Sequence, residues 1–184
     1  MVTDVINRVL AFWFVGNSES HRKAWFIKSA SFDDEIKSKF EDELKKASSG
    51  EYDNLTQMPR GVLTLMILLD QFPRNIYRGS PKAFATDFKA LEIAKVAIAN
   101  ALDLDLNSIQ RVFLYLPFEH SENMDDQNRA IELFQALGDE SFLRYAIAHR
   151  RVIKRFGRFP HRNKVLIRKS TEEEIEFLEN FRGF

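Results

Sequence analysis

Val62-Leu63-Thr64-Leu65-Met66-Ile67-Leu68-Leu69-Asp70-Gln71-Phe72-Pro73-Arg74-Asn75-Ile76-Tyr77-Arg78 is the stretch on which the reading of this chain turns. Its first half is apolar with almost no polar break, so no face of it suits water, and a helix that is hydrophobic all round is a buried one. It then becomes polar within two helical turns, where Asp70, Gln71, Arg74, Asn75 and Arg78 follow one another around Phe72-Pro73. Burying a charge is costly unless it is paired. The polar edge of this segment is therefore either a structural keystone or a working site.

Working outward, Pro59 suits the first turn of that buried helix. Upstream, Phe32, Ile36, Phe40, Leu44 and Ala47 recur at helical spacing. Ser31-Phe32-Asp33-Asp34 starts that helix, with acids where the macrodipole favours them, and Gly50 is its natural stop. Before it, Thr3 or Asp4 caps a helix carrying Val5, Val9, Phe12 and Trp13 and ending near Gly16, and Ser20 to Ser29 holds Trp25-Phe26 in a short helical piece.

Downstream, Ser80-Pro81 signals a start, followed by Phe84, Phe88, Leu91, Ala94 and Ile98 on one side. Asn107 or Ser108 caps a helix with Ile109, Val112, Phe113 and Leu116 inward and a bend at Pro117. Asp125 or Asp126 opens the next, through Ile131, Leu133, Phe134 and Leu137 to Gly138. Asp139 opens another, with Phe142, Ala146, His149, Ile153 and Phe156 in line and a stop at Gly157. Ser170-Thr171-Glu172-Glu173 has the capping-box form and precedes Ile175 and Leu178. No stretch alternates with a period of two. The pattern predicts one all-α domain over residues 1–184, built as stacked antiparallel helical hairpins.

Composition narrows the function classes. Lysine plus arginine and aspartate plus glutamate balance at 27 each, which leaves no overall field for nucleic acid or an anionic membrane. The absence of cysteine excludes disulfides, thiolate metal sites and a cysteine nucleophile. Met1-Val2-Thr3-Asp4 lacks a basic leader, and apolar runs fall short of the ~20 residues that span a bilayer, so a cytoplasmic location is expected. Seventeen phenylalanines require a well-formed interior.

Candidate site residues lie where apolar stripes run into ionisable ones. Leu63, Ile67 and Asp70 share a face, with Arg74 beyond; Val112 and Leu116 lead to Glu119 and His120; His149 lies between Ala146 and Ile153. Gln71-Phe72-Pro73-Arg74-Asn75 is echoed by Arg158-Phe159-Pro160-His161-Arg162-Asn163, and in both a helix is expected to end in an extended aromatic–proline exit. Packed together, these residues would form one interior polar cluster.

In it, Arg74, Arg78, Arg158 and Arg162 offer fork-shaped donors for carboxylate or phosphate. Asp70, Asn75, Glu122, His149, His161 and Asn163 would complete a ligand pocket, and Glu119 with His120 is the acid–base pair for catalysis. The bland alternative is that the same groups satisfy one another and fix helix register.

Glu119, His120, His149 and His161 lack the spacing of helix-borne metal motifs, and no glycine-rich phosphate loop is present, so neither metal nor cofactor is expected. The basic run His149-Arg150-Arg151-Val152-Ile153-Lys154-Arg155 wraps an apolar stripe and reads as a solvated face rather than a nucleic-acid helix.

Longer motifs carry a resemblance. Leu68-Leu69-Asp70-Gln71-Phe72-Pro73-Arg74-Asn75 with Arg78-Gly79, then Ala83-Phe84-Ala85-Thr86-Asp87, resembles the signature of the bacterial domain-of-unknown-function family numbered nine-two-four. Leu116-Pro117-Phe118-Glu119-His120-Ser121-Glu122 with Gln127 fits it too, as do His149, Phe156-Gly157-Arg158-Phe159-Pro160-His161-Arg162-Asn163 and Ser170-Thr171-Glu172-Glu173. The likeness runs from about Trp13 to Phe177 and implies a tetratricopeptide-like all-helical superhelix of no established activity. One departure stands out: Lys164-Val165-Leu166-Ile167-Arg168 occupies a place where the family more often has a glycine before its Arg-x-Ser-Thr segment.

The expected function is therefore a binding or interaction module for a protein or peptide partner. The alternative is a small enzyme or sensor acting on an anionic small molecule.

Overall fold

The computed structural model describes residues 2–15, 25 and 27–184. Among these every regular element is helical. The chain forms two compact units, residues 1–78 with 82–117 and residues 79–81 with 118–184.

In the first unit, α1 (Val2–Trp13) and α2 (Ala30–Ser49) supply amphipathic faces. The α2 stripe Phe32, Ile36, Phe40, Leu44 and Ala47 is buried, and Gly50 ends the helix at a positive φ of 95°, as a left-handed cap favours. The cap at its start is Ser29, ahead of the expected Ser31, and its hydroxyl accepts from the Phe32 amide. Thr3 and Asp4, the expected caps, lie inside α1, which has already begun at Val2. The stop near Gly16 and most of the piece around Trp25-Phe26 lie outside the described residues.

The central segment opens at Pro59 as α3 (Pro59–Met66), and Val62, Leu63 and Leu65 to Leu69 are buried. Gly61 is required there by close approach, since a Cβ would sit 2.2 Å from the Leu55 carbonyl oxygen. The expected extended exit at Phe72-Pro73 does not occur. The backbone widens into a π-helical turn over Ile67–Gln71, in which the Phe72 amide bonds to the Ile67 carbonyl, and continues as α4 (Phe72–Ile76). Widening lets Pro73 take the first turn of a new helical stretch, where its missing N–H is tolerated.

Trp13 and Phe72 pack edge to face at 5.5 Å and Trp25 meets Phe113 at 4.9 Å, so the aromatic content forms a contiguous core. A 3₁₀ turn (Pro81–Phe84) precedes α5 (Asp87–Ala99). Phe88, expected inward, is 76% exposed, because the 3₁₀ turn shifts the helix start and Ala90, Leu91, Ala94 and Ala97 make the buried face. The helix α6 (Ser108–His120) starts at a reciprocal cap between Asn107 and Gln110, contains Pro117, and carries the chain into the second unit.

In the second unit α7 (Met124–Leu137) is capped by Asn123, and α8 (Glu140–Phe156) by Asp139. Gly138, with its positive φ of 79°, turns the chain between them so that α8 packs on α7. Beyond Gly157, Phe159 is extended, as expected, and Pro160–Arg162 forms a 3₁₀ turn, so only this member of the aromatic–proline echo is an extended exit. The last helix, α9 (Glu172–Asn180), is opened by a capping box between Thr171 and Glu174, one residue later than the expected Ser170 pair. No helix among the described residues is long and apolar enough to cross a membrane.

Candidate functional site

The candidate residues divide between the two units. In the first, Asp70 is completely buried. Gln71 Nε2 donates to its Oδ2 at 2.6 Å, and Arg74 Nη1 lies 3.3 Å from its Oδ1. Arg74 also forks onto Asp87, with both bonds at 2.9 Å, and its Nη1 donates to the Asp70 carbonyl. Burial opposes the guanidinium charge, but Asp70 and Asp87 outweigh it and hold the Arg74 pKa above its ordinary value.

Arg78 makes a second fork, Nε to Asp33 Oδ2 at 2.7 Å and Nη2 to Oδ1 at 2.9 Å, and Asn75 donates to the same carboxylate at 2.8 Å. Burial raises the Asp33 pKa, yet these donors override it and keep it below the usual carboxylate range. Asn75 and Arg78 thus tie α4 and its exit to α2, and Arg74 ties α4 to α5 and to Asp70.

The second unit holds the rest. Glu122 Oε1 accepts from the Phe159 amide at 2.8 Å, and Arg168 forks onto the same carboxylate at 2.6 and 3.0 Å. Against burial, those bonds lower the Glu122 pKa. Arg168 Nε donates to Asn163, whose amide donates to Glu174 at 3.2 Å. Glu174 also receives a fork from Arg158 at 2.7 and 2.8 Å and the Thr171 amide at 2.8 Å, which bring its pKa down to about 2. This chain of charges pins the segment from Gly157 to Thr171. Glu122, Arg158 and Asn163 act in it, with Arg168 and Glu174 as partners that the sequence reading did not single out.

What remains gathers around the buried ring of Phe159. His149 is buried, and its Nδ1 lies 2.8 Å from the Tyr145 carbonyl and 3.2 Å from Glu119 Oε1. Its ring centroid is 6.3 Å from His120 and 5.7 Å from Phe159. Burial pushes the His149 pKa from 6.5 to about 3, helped by the cationic neighbours, so the ring is neutral near pH 7 and its Nδ1 donates. His161 stands 5.5 Å from Phe159; desolvation by the surrounding chain and the adjacent Arg162 charge lower it to about 4, although its outer edge meets solvent. The Arg162 guanidinium lies over the Phe159 ring at 4.5 Å.

Two further rings complete this cluster. Phe184 stacks on His149 with centroids 3.5 Å apart, and Phe181 stacks on His161 at 5.4 Å. The sequence reading passed over both. Their signal was the helical spacing Phe177, Phe181 and Phe184, which continues past the end of α9 at Asn180. Among the described residues no three histidine or carboxylate groups are placed to hold one metal ion.

An all-helical chain with forked ion pairs in both units and an aromatic–histidine cluster in the second is the class of protein these features define. It belongs to the family described as bacterial protein of unknown function (DUF924), whose model matches residues 9–181. A solved structure of a protein of unknown function from Agrobacterium tumefaciens is similar to it at 39% identity and a TM-score of 0.91, over 98% of this chain and 100% of that one. No functionally curated protein matches.

Proposed function

We propose that this chain is a binding module whose working site is the aromatic–histidine pocket around Phe159, and that the pocket receives ring-bearing side chains of a peptide. The observation that carries the reading is Phe184 stacked on His149 at 3.5 Å. The segment from Phe181 to Phe184 already lies in the pocket as a peptide ligand would, with two phenyl rings against two neutral imidazoles. Stacking of this kind is worth about 0.5–1.5 kcal/mol beyond area burial, enough to orient a ligand and weak enough to exchange.

The alternative, acid–base catalysis on an anionic metabolite by Glu119 and His120, rests on the Glu119 carboxylate 3.2 Å from His149 Nδ1. It is the weaker reading. Efficient proton transfer wants a pKa near the working pH, and His149 and His161 are held near 3 and 4. Three of the four arginines that would anchor an anion, Arg74, Arg78 and Arg158, are already forked onto carboxylates.

The test is a Phe184→Ala variant, which opens the slot, titrated with the capped peptide Phe-Arg-Gly-Phe while the His149 and His161 ring resonances are followed by NMR. Saturable shifts of the His149 and His161 rings in Phe184→Ala, with those of His161 lost in Phe184→Ala/His149→Ala, support the reading. Their absence from the opened variant removes it.

A further inference from the structure

The arginines of α8 are not all alike in their partners. Arg150 donates to Asn128 and Arg155 pairs with Glu173, but Arg144 and Arg151 make no ion pair or hydrogen bond among the described residues. Both are exposed. They stand seven positions apart, two helical turns, so they lie on one face about 10 Å apart along the axis.

That face borders an open groove. Ala148 and Val152 lie between and beside the two arginines, and Phe177 and Phe181 rise opposite them to form the groove of about 520 Å³. No aspartate or glutamate lines it. The groove is continuous with the outer side of the segment at Phe184 and exists with that ring in place, so it does not depend on the peptide-exchange reading above.

We infer that this groove is a binding site for a small amphipathic anion, a carboxylate, sulfonate or phosphate carried on a planar or chain-like apolar body. The apolar body lies on Ala148, Val152 and the phenylalanine rings, and the anionic group is held by the Arg144 and Arg151 forks. Three arguments choose this occupant. The volume falls in the range of drug-sized ligand sites. Two uncommitted guanidinium groups with no aspartate or glutamate in the lining give a local positive field despite the neutral chain, and guanidinium is the side chain best matched to planar oxyanions. The phenylalanines offer stacking faces that a simple inorganic anion would leave unused.

The experiment titrates the full chain with 8-anilinonaphthalene-1-sulfonate, an aromatic anion, by fluorescence. Saturation at one equivalent is expected. Losing the charge-assisted bonds in Arg144→Ala/Arg151→Ala is expected to weaken binding by about tenfold or more. The melting curve should stay in place, since both side chains are exposed. Decanoate should displace the probe from the wild-type chain, whereas the uncharged N-phenyl-1-naphthylamine should bind wild type and double variant alike. Equal sulfonate affinity in the double variant, or no saturable binding to the wild-type chain, overturns the proposal. Because the variants leave His149 and Phe184 untouched, this outcome is separable from that of the pocket test.

Discussion

The Thr86 hydroxyl donates to the Leu69 carbonyl, the group that an amide at position 73 would meet in an α-helix. Position 73 is proline, so no such amide exists. The neighbouring Asp70 carbonyl is met in the same manner by the Arg74 guanidinium. Two carbonyls in the most buried segment are thus satisfied by side chains, as buried backbone groups must be. The π-helical turn over Ile67–Gln71 persists because these substitutes exist. Thr86 and Asp87 lie side by side before and at the start of α5, so the Thr86 hydroxyl and the Asp87 carboxylate dock that helix to the turn together.

Removing the hydroxyl tests this directly. Thr86→Val keeps the shape and leaves the Leu69 carbonyl buried without its donor, at a cost of about 1–3 kcal/mol. Thr86→Ser retains the donor and is expected to lose far less. Urea unfolding of the two variants decides the point. Equal losses would mean that the methyl group matters rather than the bond.

The buried carboxylate at Asp70 shares Arg74 with Asp87. Removing either carboxylate alone leaves Arg74 one partner, and removing both leaves an uncompensated cation at a largely buried site. Asp70→Asn/Asp87→Asn is therefore expected to lose more than the sum of its singles, by about 1–3 kcal/mol of coupling. A double-mutant cycle on unfolding free energies measures it. Strict additivity would mean that Arg74 does not link the two acids.

How much of this was legible beforehand depends on what each residue's signal was. The stripes of α2 and α8 and the glycine stops at Gly50, Gly138 and Gly157 read directly, because burial period and left-handed caps are local properties. The course of the chain at Phe72-Pro73 did not. A Phe-Pro pair locally favours an extended exit, as at Phe159-Pro160, and it was Thr86, distant in sequence, that permitted the helical one. Arg74, Arg78 and Arg158 announced themselves as polar residues near apolar faces. Their partners Asp33, Asp87 and Glu174 sit in first helical turns, where acids are common for dipole reasons and carry no distinguishing mark.

Ile167 shows the same limit in reverse. Its φ is 56°, in the left-handed region, and its side chain is 91% exposed, so nothing buried compensates the conformation. It precedes Arg168, whose amide bonds to the Asn163 carbonyl at 2.8 Å and whose guanidinium clamps Glu122. The backbone at position 167 is therefore one that asks for glycine. Ile167→Gly is expected to stabilise the chain by about 1 kcal/mol, the relief of a β-branched residue at positive φ less the added freedom of the unfolded glycine. A higher melting temperature checks it. A lower one would show that the exposed isoleucine makes a contact worth more than the strain.

The pH dependence of stability follows from the same pocket. His149 titrates near 6.5 when unfolded and near 3 when folded. Between those values the unfolded chain binds the extra proton, so stability falls as the pH drops, by up to about 1.4 kcal/mol per pH unit for one histidine, and the effect fades over about one pH unit above 6.5. His161, lowered to about 4, acts in the same direction. The Glu174 contribution belongs to a lower window: it is present above the unfolded value of 4.5 and is lost as the pH falls towards about 2. Unfolding free energies are thus expected to be level above about pH 7.5, to begin to decline as the pH approaches 6.5 and to fall most steeply from about 6 to 5, before the carboxylates begin to titrate. His149→Gln should remove close to one proton's worth of that slope while leaving the acid limb below pH 4.5 in place. An unchanged slope between pH 6.5 and 5 would mean that His149 is already protonated in the folded chain, and the neutral imidazole on which Phe184 stacks would then be a cation.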